Sequence, residues 1–368
     1  MKKVKVYGAG SIGNHLAQAS RRMGWSVDMC DIDNDALIRT KNEIYPSRYG
    51  AWDDQITLYK NENVPIGGYD LVVIGTPPDN HIELARSAVK EGAKAVLVEK
   101  PLCSPNLIGA KELLKEAKEL DCLVFIGYDH AISKSALQMS KFLNNEAMGE
   151  LITLDVEFRE YWGGIFQAHP WLDGPSDSYL GYWQKGGGAC GEHSHAINLF
   201  QSFAHEAKIG RVKMVSSYMS YVNDGVLDYD SNCLLNLKTE NNTIGRVVQD
   251  VVTSPTRKWA RAQCENGFLE WMCGNKPGVD SVIYGKDETT PQTKEIQKTR
   301  PDDFFQELQH ISSVLDNNEL YNESPIRLER GLETMLVIAA AHLSAQNNCS
   351  VEIDYSKGYV QEALSLIK

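Results

Sequence analysis

Three glycines near the amino terminus constrain the fold of this chain more than any other feature. Gly8, Gly10 and Gly13 follow the short apolar segment 4–7 and precede a segment with helical periodicity. In a strand–turn–helix unit, the first glycine permits a tight turn and the second leaves room for a diphosphate. The third permits close packing of the helix on the strand, and the helix amino terminus supplies N–H donors. The pattern therefore predicts a dinucleotide-binding unit.

An acidic residue at the end of the second apolar segment completes this pattern. Asp31 follows segment 26–30 and lies 23 residues after Gly8. A carboxylate at this place accepts a hydrogen bond from the ribose 2′-hydroxyl of NAD and repels the 2′-phosphate of NADP. The nearest following arginine is Arg39. We therefore expect NAD rather than NADP, with Asp33 remaining an alternative ribose ligand.

The first third of the chain alternates apolar and helical segments. Strands are predicted at 4–7, 26–30, 71–74, 95–98 and 123–126, and helices at 13–23, 81–91 and 106–120. Strands that alternate with helices are typical of parallel βαβ units. We predict an α/β fold with an amino-terminal Rossmann domain, a doubly wound parallel sheet, over residues 1–128.

The pattern changes after residue 128. Longer, alternating strand segments are predicted at 151–157, 213–221, 231–238 and 243–252, followed by a helix at 328–345 and a strand at 350–353. Such alternation is typical of antiparallel sheets with one covered face. We predict an α+β domain with a large, mostly antiparallel open sheet over residues 129–368, and allow for its last segment packing on the first domain.

Composition limits the partners of this chain. Its formal net charge is −12, which argues against nucleic acid or an anionic membrane surface, since both bind basic faces. No apolar run approaches the ~20 residues of a membrane-spanning helix. The eight cysteines include no C-x-x-C pair, and we expect no secretory leader, because residues 1–10 contain no long apolar region. We therefore expect a cytoplasmic protein with reduced thiols.

Two further segments contain ionisable side chains of the kinds that active sites use. Glu99, Lys100 and Pro101 follow the apolar segment 95–98, where charged groups must be solvated, paired or used. A triple glycine at 186–188 precedes Glu192, His193 and His195, and on one helix Glu192 and His195 share a face. These three side chains are also potential metal ligands, but no further ligand cluster with metal spacing appears, and we expect no metal.

The combination of G-A-G-S-I-G, T-P-P-D-N-H (76–81), E-K-P (99–101) and G-G-G before His195 resembles the Gfo/Idh/MocA family of NAD(P)-dependent oxidoreductases. The resemblance covers almost the whole chain. It implies hydride transfer at a secondary hydroxyl of a sugar, cyclitol or related polyol. It also implies that Lys100 is the catalytic lysine, that His195 is the catalytic histidine, and that the open sheet forms a homodimer or homotetramer.

One position departs from the family pattern. The family often has an aspartate four residues before its catalytic histidine, where this chain has Gly191. The acid Glu192 lies three residues before His195 instead. We retain Glu192 as a third catalytic candidate, and the choice between Glu192 and His193 stays open.

The resemblance and the strand ends together give the expected binding residues. Those expected to bind the cofactor are Gly8, Gly10, Ser11, Ile12, Gly13, Asp31, Thr76, Pro77, His81, Glu99 and Lys100. Aromatic faces suit the apolar side of a sugar ring, and polar side chains suit its hydroxyls. Those expected to bind the substrate are Lys100, Tyr128, His130, Arg159, Trp171, Trp183, His193 and His195.

These observations predict an NAD-dependent dehydrogenase for a sugar, a cyclitol or a sugar derivative, including phosphorylated and nucleotide-linked sugars. In this mechanism a base takes the hydroxyl proton, and a cation stabilises the developing alkoxide.

Two alternatives remain. One is an enzyme of the same family that retains NAD and cleaves a glycoside. The other is a non-catalytic sensor of NAD or a sugar, although a sensor has no need of Lys100 and His195.

Overall fold

The structure is a computed structural model that describes residues 1–169, 171–286 and 290–367. The described chain forms two compact units. The first unit contains residues 1–102, 109–129 and 300–329, and the second contains the remaining described residues. Each unit is therefore built from separate stretches of sequence, and the domain boundary after residue 128 stays a prediction.

The strands of the described chain are numbered in sequence order. They are β1 (Lys3–Tyr7), β2 (Ser26–Asp31), β3 (Ile56–Lys60), β4 (Leu71–Ile74), β5 (Ala95–Val98), β6 (Leu123–Ile126), β7 (Leu151–Arg159), β8 (Val212–Asn223), β9 (Asp228–Thr239), β10 (Ile244–Asp250), β11 (Arg257–Cys264), β12 (Gly267–Lys276), β13 (Val279–Gly285), β14 (Gln292–Gln297), β15 (Ser350–Ile353) and β16 (Leu364–Ile367).

The α-helices are numbered in the same way. They are α1 (Ser11–Arg22), α2 (Asn34–Arg39), α3 (Tyr45–Tyr49), α4 (His81–Lys90), α5 (Ala110–Glu119), α6 (Asp129–Ile132), α7 (Lys134–Leu143), α8 (Gly163–Gln167), α9 (Gly188–Glu192), α10 (His195–Glu206), α11 (Arg300–Asp316) and α12 (Leu328–Asn347). A π-helical turn, Thr40–Ile44, joins α2 to α3. Within the described residues, we find no helix that combines the length and apolarity needed to cross a bilayer.

The first unit contains a parallel sheet of six strands in the order β3-β2-β1-β4-β5-β6. The predicted doubly wound sheet is confirmed, and β4, β5 and β6 have the predicted bounds. All residues of β4 and β5 are buried, as strands covered on both faces require. The edge strand β3 is missing from the prediction because it is half exposed and has no continuous apolar run.

The second unit contains a sheet of ten strands in the order β14-β13-β12-β11-β7-β10-β9-β8-β15-β16. Its neighbours are antiparallel except β7 and β10, which run parallel. The predicted large and mostly antiparallel sheet is confirmed. In the second halves of β9 and β11, buried residues alternate with partly or fully exposed ones, so one face of each strand is covered.

Helix α5 begins four residues later than predicted. The sequence pattern indicated a helix from residue 106, whereas α5 starts at Ala110. The reason is the backbone before it, since Leu107 has φ of 59° and Gly109 has φ of 78°. Two residues in the left-handed region cannot continue a right-handed helix.

Helix α12 is bound to strand β8 by buried polar contacts. Ser217 donates its backbone N–H to the Ser344 hydroxyl at 3.0 Å and its own hydroxyl to the Ala341 carbonyl. The Tyr221 hydroxyl and Nδ1 of His342 share a hydrogen bond of 2.8 Å. His342 is only 3% exposed, and burial lowers its pKa to about 3. The ring is therefore neutral in the folded protein across the physiological pH range.

This burial predicts a loss of stability in acid. The unfolded chain binds a proton on His342 below about pH 6.5, whereas the folded chain does so only near pH 3. Between these values the free energy of unfolding falls as pH decreases, by about 1.4 kcal/mol per pH unit from this ring. Urea titrations should show a shallower acid slope for His342→Gln than for the wild type. Equal slopes would contradict the buried, neutral ring.

Candidate functional site

In the loop after β1, the glycines have the surroundings that the motif predicts. Gly8 has φ of 99°, and a Cβ there would lie 2.7 Å from the carbonyl oxygen of Gly75. A Cβ on Gly13 would lie 1.9 Å from the carbonyl oxygen of Gly8, so α1 packs too closely for a side chain. At Gly10, by contrast, a Cβ would have no described atom within 4 Å. That open side leaves room for a diphosphate at the amino terminus of α1, whose first residues are Ser11 and Ile12.

Two residues outside the motif also shape this loop. Asn14 donates its side-chain amide to the carbonyl of Gly10 at 2.8 Å and to the Thr40 hydroxyl at 3.0 Å. The Thr40 hydroxyl donates to the carbonyl of Ala9 at 2.5 Å. Sequence reasoning missed both residues. Asn14 lies one position after the motif, and Thr40 reaches the loop only through the fold.

The two acids after β2 have different partners. Asp31 accepts hydrogen bonds from the backbone N–H of Ala9 at 2.7 Å and of Asp33 at 2.9 Å. Asp33 accepts from the N–H of Asp35 as the amino-terminal cap of α2, and it pairs with Arg39 at 3.3 Å. Asp31 therefore lies directly on the glycine loop, which favours it over Asp33 as the ribose ligand.

The loop after β4 lies beside the glycine loop, because Gly75 donates its N–H to the carbonyl of Tyr7 at 2.8 Å. This loop contains Thr76 and Pro77. His81, the first residue of α4, is fully buried, and its ring nitrogens lie 2.7 Å from the carbonyl oxygen of Thr76 and 3.0 Å from that of Pro101. Burial lowers the pKa of His81, and the two carbonyls oppose this shift.

His81 thus connects the loop after β4 to the loop after β5. Both ring nitrogens contact backbone carbonyls, so its contribution to cofactor binding would act through the positions of Thr76 and Pro101. Its assignment as a cofactor-binding residue stays a prediction.

Glu99 and Lys100 lie at the carboxyl end of β5. Glu99 donates its backbone N–H to the carbonyl of Ile74 at 3.0 Å, and the residue is only 8% exposed. The Glu99 carboxylate packs against Gly127, where a Cβ would lie 2.8 Å from Oε1. Glu99 is therefore a buried residue rather than half of a solvated surface pair. Lys100 is partly exposed, and its peptide bond to Pro101 is cis.

The end of β6 completes this edge of the sheet. Gly127 donates its N–H to the carbonyl of Val98 at 2.7 Å, and Tyr128 after it has no exposed surface. Strand ends β1, β4, β5 and β6 therefore present their loops along one edge of the first unit. In open parallel sheets this carboxyl edge is where ligands bind, at the point where the strand order reverses. Here the order reverses between β1 and β4.

Helix α11 places a buried acid near this edge that sequence reasoning missed. Glu307 is fully buried, and burial raises its pKa well above the ordinary range. Three neighbouring carboxylates act in the same direction: Glu99, Asp129 and Asp303. Glu307 is far in sequence from its neighbours at the strand ends, so no local pattern indicated it.

The second unit contains the segment with the triple glycine and the histidines. The spacing of Glu192 and His195 predicted that they share one face of a single helix. Instead, α9 ends at Glu192 and α10 begins at His195, with a turn at His193 and Ser194 between them. The Tyr179 hydroxyl donates to Glu192 Oε2 at 3.2 Å. His193 is 5% exposed, and its Nε2 lies 3.3 Å from the carbonyl oxygen of Glu160.

His130 and His195 are neighbours in this unit. Their ring centroids lie 4.8 Å apart in an edge-to-face arrangement. Phe158 stacks on His195 with a centroid distance of 6.1 Å and contacts His130 edge-on at 5.2 Å. The structure thus brings two of the expected substrate-binding residues together against one apolar ring.

Three other expected substrate residues have partners of their own. Arg159 forms an ion pair of 2.7 Å with the buried Asp250. Trp183 donates its indole N–H to Asp228 at 3.2 Å and stacks on His342 at 4.4 Å. Trp171 is 38% exposed and lies edge-on to the ring of His169. Their roles in substrate binding stay predictions.

The comparisons with known proteins agree with this arrangement. Residues 2–128 match the Gfo/Idh/MocA oxidoreductase family in its NAD-binding Rossmann fold. The family resemblance seen in the sequence is thereby confirmed over residues 2–128, as is the expectation that this part of the chain binds NAD. A comparison with curated protein sequences gives no match.

Solved structures share the fold over nearly the whole chain. An inositol dehydrogenase homologue from Azotobacter vinelandii, complexed with NAD⁺, is 17% identical with a TM-score of 0.74, covering 95% of this chain and 97% of its own. Levoglucosan dehydrogenase, complexed with NADH and levoglucosan, is 15% identical with a TM-score of 0.75. The match covers 95% of this chain and 98% of the levoglucosan dehydrogenase chain. The WlbA dehydrogenase from Bordetella pertussis, complexed with NADH and UDP-GlcNAcA, is 16% identical with a TM-score of 0.70. The match covers 96% of this chain and 98% of the WlbA chain.

Because Asp31 and Asp33 have different partners, we predict that Asp31 determines the preference for NAD over NADP. Asp31→Ala should lower kcat/KM for NAD by about tenfold or more, because the ribose hydroxyl loses a charged acceptor. The same variant should raise the ratio of NADP to NAD turnover, because the repulsion of a 2′-phosphate is removed. Steady-state rates with both cofactors measure this. Asp33→Asn is the matched control and should change the ratio little. If Asp33→Asn changed this ratio more than Asp31→Ala did, Asp33 rather than Asp31 would be the ribose ligand.

Proposed function

Because residues 2–128 match the NAD-binding Rossmann fold of the Gfo/Idh/MocA oxidoreductase family, we propose that this chain is an NAD-dependent dehydrogenase. Its substrate is a sugar, a cyclitol or a sugar derivative that is oxidised at a secondary hydroxyl. The observation that carries the proposal is Lys100 at the carboxyl end of β5, on the same sheet edge as the glycine loop. That edge is the ligand-binding edge of open parallel sheets.

The residues of the glycine loop fit a dinucleotide. The open space at Gly10 would take the diphosphate, and Asp31 would accept from the ribose hydroxyl. Thr76 and Pro77 would border the nicotinamide end of the cofactor. When bound, NAD supplies the acceptor for the hydride that leaves the substrate carbon.

Lys100 and His195 have separate roles in this proposal. Oxidation of an alcohol requires a proton to leave the oxygen as the hydride leaves the carbon. His195 takes that proton, since histidine titrates near neutral pH. The ammonium group of Lys100 stabilises the negative charge that develops on the substrate oxygen. Glu192 or His193 would orient the reacting groups.

The substrate class rests on two kinds of support. The second unit carries partly exposed aromatic side chains, including Trp171 and Trp183, which suit the apolar faces of sugar rings. Among proteins with the same fold, one is a homologue of inositol dehydrogenase, one is levoglucosan dehydrogenase in complex with levoglucosan, and one is a dehydrogenase in complex with UDP-GlcNAcA. A neutral or anionic polyol is therefore the class to screen, including its phosphorylated and nucleotide-linked forms.

Lys100→Met tests the proposal. The variant should lower kcat by about a thousandfold or more, because the developing alkoxide loses its charged partner. NAD affinity, followed by quenching of protein fluorescence, should change by only a few-fold. Turnover is measured as NADH absorbance at 340 nm. Lys94→Met, at an exposed lysine that precedes β5 and pairs with Asp70, is the matched control and should retain wild-type turnover. Substantial turnover by Lys100→Met would remove Lys100 from the mechanism.

The stoichiometry of the same assay separates the alternatives. A dehydrogenase releases one NADH per substrate oxidised, whereas a glycoside-cleaving enzyme regenerates NAD and releases none while the glycoside disappears. A sensor consumes neither. We expect stoichiometric NADH, and we expect turnover to be insensitive to EDTA because no metal is part of the proposed mechanism.

We also propose that the open face of the second unit's sheet is covered by another copy of this chain, in a homodimer or homotetramer. Three apolar side chains on this face are exposed: Tyr218 at 70%, Ile244 at 63% and Leu234 at 46%. Tyr218 and Leu234 lie opposite each other on β8 and β9, so they share a face. Clustered apolar groups of this kind mark association surfaces.

The oligomer is tested by light scattering after size-exclusion chromatography. The wild type should have the mass of a dimer or tetramer, and the double variant Tyr218→Lys, Leu234→Lys should shift towards the monomer. Ile66→Lys is the control, because Ile66 is 85% exposed in the first unit. A monomeric wild type at micromolar concentration would overturn this part of the proposal.

A further inference from the structure

The triple glycine before the histidines has a physical reason within the second unit. A Cβ on Gly187 would lie 2.2 Å from the carbonyl oxygen of Tyr179 and 2.5 Å from that of Leu180. Gly188 has φ of 73°, and a Cβ there would lie 2.0 Å from Oδ1 of Asp230. The segment therefore passes so close to its neighbours that only glycine fits. One of those neighbours is a carboxyl group.

Asp230 lies on β9 beneath the first turn of α9. It has no exposed surface, and its Oδ2 accepts a hydrogen bond of 2.8 Å from the backbone N–H of Cys190. An acid without a hydrogen-bond donor would be costly at such a position. Asp230 instead satisfies a backbone donor at the start of the helix, which has no partner within the helix itself.

A second buried side chain binds the same turn from β10. Gln249 is fully buried, and its side-chain amide lies 3.3 Å from the carbonyl oxygens of both Ala189 and Cys190. Asp230 thus binds an N–H group of this turn and Gln249 binds its carbonyls. Two adjacent strands of the sheet fix the backbone of α9 just before Glu192.

We propose that Asp230 is a positioning residue for the reaction: by binding the first turn of α9 it fixes Glu192 and the turn that leads to His195. This inference rests on the proposed function, in which His195 takes the substrate proton. Asp230 contacts the backbone of the turn, and its effect on the reaction is transmitted through that backbone.

The protonation state of Asp230 determines which substitution preserves its shape, charge and acceptor capacity. Burial raises its pKa to about 8, although the N–H groups of Cys190, Asp230 and Ala189 act to lower it. The ionisable groups that face it are Tyr221 on β8, Cys190 on α9 and Cys233 on its own strand. At pH 7 the acid is therefore largely neutral, and asparagine is its closest substitute in shape, charge and acceptor capacity.

The first experiment compares Asp230→Ala with Asp230→Asn at pH 7. Asp230→Ala should lower kcat by about tenfold or more, because the buried N–H of Cys190 loses its acceptor and the turn becomes mobile. The KM for NAD should stay within about twofold, since the cofactor loop is in the first unit. Asp230→Asn should recover most of the lost kcat. Equal losses in the two variants, or a parallel change in the KM for NAD, would overturn the proposal.

A double-mutant cycle tests the contact itself. Gly188→Ala should cost at least about fivefold less activity in the Asp230→Ala background than in the wild type, because its Cβ no longer meets Oδ1. Gly187→Ala is the matched control. Its Cβ meets the carbonyls of Tyr179 and Leu180 in either background, so its cost should be the same in both. Equal costs of Gly188→Ala in the two backgrounds would show that Asp230 does not act through this contact.

Hydrogen exchange keeps the inference testable without a substrate. The amide of Cys190 should exchange slowly in the wild type and at least about tenfold faster in Asp230→Ala. The amides in the middle of α10 should keep their protection, which also shows that the variant is folded. If no polyol yields NADH, the proposed function fails, while this exchange still decides whether Asp230 fixes the turn. Unchanged exchange at Cys190 would overturn the positioning role.

Discussion

The close approach of α1 to the loop after β1 is the constraint on which the candidate site depends. The Cα of Gly13 lies against the carbonyl of Gly8, and Gly8 in turn lies against that of Gly75. These contacts bring the ends of β1 and β4 together at the point where the strand order reverses. A side chain at Gly8 or Gly13 would separate the two loops, and the diphosphate position and the loop with Thr76 would no longer share one edge.

Both units use the same physical device to place a reactive segment. In the first unit, the buried ring of His81 contacts the carbonyls of Thr76 and Pro101 on two loops. In the second unit, the buried side chains of Asp230 and Gln249 bind the backbone at the start of α9. A buried polar group has few alternative partners, so its hydrogen bonds specify one backbone position. Rigid placement of this kind is what a catalytic group needs.

The sequence was informative where local patterns determine structure. Continuous apolar runs predicted β4, β5 and β6 to the residue, and the glycine spacing predicted the nucleotide loop. The resemblance to the family needed the T-P-P-D-N-H, E-K-P and G-G-G motifs as well. It was silent where contacts join distant residues, as for Glu307 or the half-exposed strand β3. The turn that separates Glu192 from His195 also went unpredicted. Periodicity indicates a helix there, and the close contact of Gly188 with Asp230 is visible only in three dimensions.

The central claim is that this chain transfers a hydride from a polyol carbon to NAD. Its most direct test uses a polyol that reduces NAD, carrying deuterium on the carbon that is oxidised. Mass spectrometry of the released cofactor should show one deuterium per NADH, and kcat/KM should fall with the label if the transfer limits the rate. Unlabelled NADH would contradict the account, because the hydride would then come from an atom other than the labelled carbon.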